Sequence, residues 1–94
     1  MTKEDVARLR RAALRVHNLE LEAWRASAAV SRAQIQKMKI HRKISGDPSP
    51  ESEAALVQSL ESYAAQCDRF IADAIAGWPE LEQHFERLRL WCLA

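Results

Sequence analysis

Ser45-Gly46-Asp47-Pro48-Ser49-Pro50 is the stretch that decides the fold. Two prolines, a glycine and two serines in six residues make a turn. Residues 2–44 on one side contain no glycine or proline, and neither do residues 51–76 on the other. A turn between two long breaker-free runs predicts a helical hairpin.

Working back from the turn, Thr2 followed three residues later by Asp5 resembles a capping box. A first helix over residues 3–44 would be roughly 60 Å long at 1.5 Å per residue. Its apolar residues recur at steps of three and four: Val6, Leu9, Ala13, Val16, Leu19, Ala23, Ala26, Val30, Ala33. A second set, Leu14, Leu21, Trp24, Ala28, Ile35 and Met38, lies beside the first. Both have helical periodicity, and a helix with two apolar faces normally has two neighbours.

Working forward, residues 45–49 form the linker and a second helix is predicted over 50–76. Ser49 suits the N-cap, Pro50 the first helical position, and Glu51 and Glu53 the positive end of the dipole. Val57, Leu60, Ala64, Cys67, Ile71, Ala74 and Trp78 form one seam; Leu56, Tyr63 and Phe70 form a parallel row at sevenfold spacing. Gly77 suits the residue after a helix, and Pro79 the first position of a third helix, over 79–93. Leu81, Phe85, Leu88 and Cys92 give that segment an apolar stripe, with Trp91 beside it.

The fold expectation is all-α: one domain over residues 1–94, with a long hairpin and a short third helix packed as a helical bundle. Of 45 hydrophobic residues, 16 are alanine, which favours helix but buries little area. A domain this small is short of core, so homodimerisation is expected to complete it.

Charge is divided between the halves. Residues 1–45 carry eleven Lys/Arg against four Asp/Glu, a balance of +7; residues 46–94 carry three against nine, a balance of −6. The plainest reading is a basic arm attracted to an acidic arm across the hairpin. The sharper reading gives the stripe Arg11, Arg15, Arg25, Arg32, Lys39 and Lys43 a partner of its own. Leu21 and Trp24 would be its apolar anchors, since Trp and Arg dominate interface hot spots. Trp78 and Trp91 are expected in the core, and the apolar C-terminal stretch is expected to dock on its own chain, its twin or a partner.

Catalytic and metal chemistry find little support. The only glycines, Gly46 and Gly77, cannot build a phosphate loop. Cys67 and Cys92 lack zinc-site spacing, sit on apolar stripes and are expected as reduced thiols in a cytoplasmic protein. His17, His41 and His84 lie far apart, and Ser27, Ser31 and Ser59 fall inside helices. No catalytic residue, metal or cofactor is assigned. No apolar run reaches the ~20 residues of a membrane span.

The functional expectation is a non-catalytic protein-binding module: a regulator, inhibitor, adaptor or chaperone. The alternative is nucleic-acid binding through the basic face of the first helix. Against it, the aromatic residues lie on apolar seams rather than among the Arg and Lys, where bases would stack. A small helical-bundle enzyme is the third class.

Overall fold

The computed structural model describes residues 1–46 and 50–92, apart from the side chains of Pro50 and Ser52. Two helices account for nearly all of them: α1, Lys3–Ser45, and α2, Pro50–Trp91. They pack antiparallel as a hairpin measuring 71 × 16 × 13 Å. The radius of gyration is 21.1 Å, where a compact chain of this length would have about 12 Å. The molecule is a rod one pair of helices thick. No strand occurs among the described residues.

Both ends of α1 are chemically closed. The Thr2 backbone N–H donates to Asp5 Oδ2 at 2.9 Å, and the Asp5 N–H donates to Thr2 Oγ1 at 3.1 Å. This is the expected capping box, with Asp5 in the acceptor role usually taken by Glu. At the other end Gly46 adopts φ 66°, ψ 31°, and its N–H donates to the Arg42 carbonyl at 3.0 Å. A side chain would strain that left-handed conformation, so glycine belongs there. The linker prediction falls partly on helix, since Ser45 is the last residue of α1. The Ser49 N-cap lies outside the described residues.

The predicted break at Gly77-Trp78-Pro79 does not form, and there is no separate third helix. α2 runs through Pro79 to Trp91. The reason is phase. Val57, Ala64, Ile71, Trp78, Phe85 and Cys92 are spaced by seven, so the inward stripe crosses Pro79 without a shift. Pro79 itself is exposed, as is Ile75, whose carbonyl loses its helical donor to the proline ring. An interior proline costs about 3 kcal/mol. Half-burying Trp78 and Phe85 against α1 returns on the order of 1–2 kcal/mol each, which is enough to carry the helix on.

The seam uses the second apolar set of α1, together with Val6 of the first, and leaves most of the first set outside. Val6, Leu21, Ala28, Ser31 and Ile35 are buried, with Leu14, His17, Trp24 and Met38 half-buried between them. On α2 the predicted seam is the inward face, with Ala64 and Cys67 buried and Val57, Leu60, Ile71, Ala74 and Trp78 half-buried. Ala28, Ala64 and Cys67 form the tightest cluster, with Trp24 packed on it. Small side chains there let the backbones approach. No buried side-chain nitrogen or oxygen among the described residues lacks a hydrogen-bond partner.

Candidate docking face

The charged flank is set by the register of the hairpin. Arg11, Arg25, Arg32 and Lys39 recur at multiples of seven along α1, on the shoulder beside the seam. The facing shoulder of α2 carries Glu61, Asp68 and Glu82 at the same spacing. Arg32 Nη2 meets Asp68 Oδ2 at 2.5 Å, Arg10 pairs with Glu82, and Arg42 Nε lies 3.5 Å from Glu53 Oε2. Each of these three cross-helix pairs joins an arginine of α1 to a carboxylate of α2. The division of charge therefore serves the hairpin itself, and these exposed or half-exposed pairs add no more than about 1 kcal/mol each.

The predicted docking residues are thereby split. Arg11, Arg15, Arg25, Lys39 and Lys43 are exposed, and no ion pair is found for them among the described residues. Arg32 is engaged by Asp68. Leu21 is buried in the seam at 8% exposure, so it is a core residue and not an anchor for a partner. Trp24 packs inside the hairpin: its ring lies 4.8 Å from that of Phe70, tilted by 44°. Its volume is taken up by α2, which corrects the expectation that it faces outward. Trp78 is half-buried and stacks on His17 at 4.8 Å and 28°. Trp91 reverses its expectation; it is 84% exposed at the end of α2.

On the other flank the molecule is apolar. An open groove of about 960 Å³ runs between the helices over residues 9–24 of α1 and 70–85 of α2, lined by Leu9, Val16, Trp24, Phe70, Trp78 and Leu81 among others. Aromatic rings pack between the helices at this level, whereas the small Ala28, Ala64 and Cys67 form the cluster nearer the turn. Glu20 and Asp73 are among the groove's polar lining residues, together with His17.

From this groove the apolar surface continues onto the outer side of α1. Leu9, Ala12, Val16, Leu19, Ala23, Ala26, Val30 and Ala33 are all exposed, at alternating steps of three and four, without one polar residue among them. Val16 is 64% and Leu19 58% exposed. At 100° per residue this column points about 150° away from the shoulder of Arg25 and Arg32. All but Ala12 of these residues belong to the first stripe of the sequence reading. From Leu9 onward, its lack of polar interruption was the available signal for an exposed apolar face.

The titrating groups that stand out are at the two free ends. The backbone N–H and hydroxyl of Thr2 hold the Asp5 carboxyl below the usual carboxylate value, with a smaller contribution from Arg8. Arg89 does the same for Glu86 through hydrogen bonds of 3.0 and 2.6 Å, and Arg89 is raised in return. Both arrangements are surface features of helix ends. No group of three His, Cys, Asp or Glu among the described residues is placed to hold a metal ion, and no helix is long and apolar enough to cross a membrane. Compared with known protein families, characterised proteins and solved structures, the chain matches none.

Proposed function

We propose that this chain is a non-catalytic protein-binding module, a regulator, inhibitor, adaptor or chaperone, that docks another polypeptide through the outer apolar face of α1. The observation that carries the reading is the run of eight exposed apolar residues from Leu9 to Ala33. An exposed apolar column of this length on a small protein marks an interaction surface. Its spacing of three and four residues is that of a helix-on-helix seam, which favours a helical partner. The free cations of the opposite shoulder, Arg11, Arg25 and Lys39, with Arg15 and Lys43 on the adjoining row, serve orientation and association rate rather than affinity.

The nucleic-acid reading is the weaker one, because carboxylates of α2 already engage Arg10, Arg32 and Arg42 and interrupt the positive track. We read the setting as cytoplasmic, where Cys67 and Cys92 stay reduced. The test is capture by the tagged full chain from source-cell lysate, with and without nuclease, comparing wild type, Val16→Lys and the triple variant Arg11/Arg25/Lys39→Glu. The reading expects a bound protein that survives nuclease, is lost with Val16→Lys and persists in the triple variant. Loss of all bound material on nuclease treatment, or in the triple variant alone, overturns it.

A further inference from the structure

Resting on that reading of the outer face of α1, we infer that its occupant is a second copy of this chain, with the two α1 helices antiparallel about a two-fold axis at residue 21.

The first argument is area. The hairpin exposes 7194 Å², whereas a compact monomer of 10.7 kDa exposes about 5,500 Å². The excess is about 1,700 Å² per chain. Two copies each covering that much would bury about 3,400 Å² in all, within the range of obligate homodimers. A single short peptide or a small ligand in the groove would leave most of it uncovered.

The second argument is the order of side chains along the column. In an antiparallel pair about residue 21, Leu9 faces the partner's Ala33, Ala12 the partner's Val30, Val16 the partner's Ala26 and Leu19 the partner's Ala23. Every layer then sets one large side chain against one alanine, which fills space evenly. The next layer outward brings Asp5 against the partner's Lys37, opposite charges on half-exposed and exposed side chains. In a parallel pair, leucine would face leucine and alanine would face alanine, giving alternate crowding and voids.

A face complementary to its own reverse is what a two-fold contact between identical chains requires, and a different partner would have no need of it. The register also suits the length of the helix: residues 3–39 of each α1 overlap. The turn of one hairpin then lies beside the free ends of the other.

The experiment is sedimentation equilibrium on the full chain over a wide concentration range, with circular dichroism on each sample. Wild type is expected at twice 10.7 kDa. Val16 and Ala26 are exposed, so Val16→Lys and Ala26→Glu leave the helices of the hairpin in place. Each is expected to weaken the dimer by about tenfold or more. The double variant Val16→Lys/Ala26→Glu sets each lysine against the partner's glutamate and is expected to recover most of that loss. The two positions are ten residues apart on one helix and cannot compensate within a chain. Arg25→Glu, on the opposite flank, is expected to leave the dimer intact.

Wild type at 10.7 kDa throughout, or a dimer indifferent to both single variants, overturns the inference. So does a double variant weaker than either single one, the result for a parallel pair. If the chain is monomeric yet Val16→Lys still loses a captured protein, self-pairing falls and the docking face stands. If Val16→Lys changes neither mass nor capture, both fall.

Discussion

Replacing Gly77 and Pro79 by alanine tests the continuity of α2, because the outcome changes sign with the architecture. In the unbroken helix Gly77 has ordinary helical backbone, since Gly46 alone has positive φ. A Cβ built on Gly77 meets nothing within 4 Å. Gly77→Ala should therefore stabilise by roughly 0.5–1 kcal/mol, by restricting the unfolded chain. Pro79→Ala restores the hydrogen bond to the Ile75 carbonyl and removes the ring clash. The helix-interior penalty of about 3 kcal/mol is an upper bound, because Ile75 and Pro79 are both exposed, so about 2 kcal/mol is expected. At about 4–8 °C per kcal/mol for a domain of this size, Gly77→Ala should raise Tm by about 4 °C and Pro79→Ala by about 10 °C. Thermal melts followed at 222 nm at one fixed protein concentration measure both, fixed because any association makes Tm depend on it. A break at residues 77–79 would give the opposite result. Gly77 would then sit at a left-handed cap, where alanine destabilises by about 1 kcal/mol, and Pro79 would sit at a first helical position that favours it. A fall in Tm for both variants would refute the continuous helix.

Three further outcomes follow from the hairpin. Ala64→Leu forces extra methylenes into the closest part of the seam, where Ala64 is 2% exposed; a loss of about 1–3 kcal/mol in urea titration is expected. A thiol reagent should label Cys92 in the native protein and reach the fully buried Cys67 only on opening of the seam, giving two well-separated phases. Because the Thr2 backbone N–H and hydroxyl lower the Asp5 carboxyl, the capping box stabilises α1 above the ordinary carboxylate value. That contribution is lost as pH falls through the lower, folded value. Asp5→Asn should flatten this part of the acid limb between about pH 5 and pH 2, read as the urea midpoint against pH.

The parts of this fold that were legible in the sequence are those where one periodicity outweighs its competitor. On α2 the longer set, Val57 to Trp78, outweighs the parallel row: it packs inward, while Leu56 and Tyr63 stay exposed and Phe70 meets Trp24 from the edge. On α1 two sets share the same three-and-four spacing, so spacing alone could not choose between them. Volume favours the second set: Trp24 packs on the small Ala28, Ala64 and Cys67, and the larger Leu14, Leu21 and Ile35 fill other layers of the seam, which the alanine-rich outer column would leave empty. At residues 77–79 the local signal was misleading because glycine and proline report only the backbone cost. The offsetting term lies seven residues away on either side, in Ile71 and Phe85, and is non-local. Leu21 and Trp24 were placed on the wrong side of α1, and Arg32 is engaged within the hairpin, for a related reason. A row of cations is conspicuous in a sequence, but its counter-charges on α2 are invisible until the register of the hairpin brings Arg32 to Asp68.

The near-equal lengths of α1 and α2 have a mechanical consequence. Lys3 and Trp91 lie at the same end of a 71 Å rod, with the turn at the other. A load applied between these two ends would act on one cross-helix layer at a time, beginning with Val6, and would open the hairpin like a zip instead of shearing the whole seam at once. Unzipping distributes the work along the path and keeps the force at each step low. A sequential copy of the same motion, starting from the turn-distal layers, is the low-energy route by which α1 could release α2.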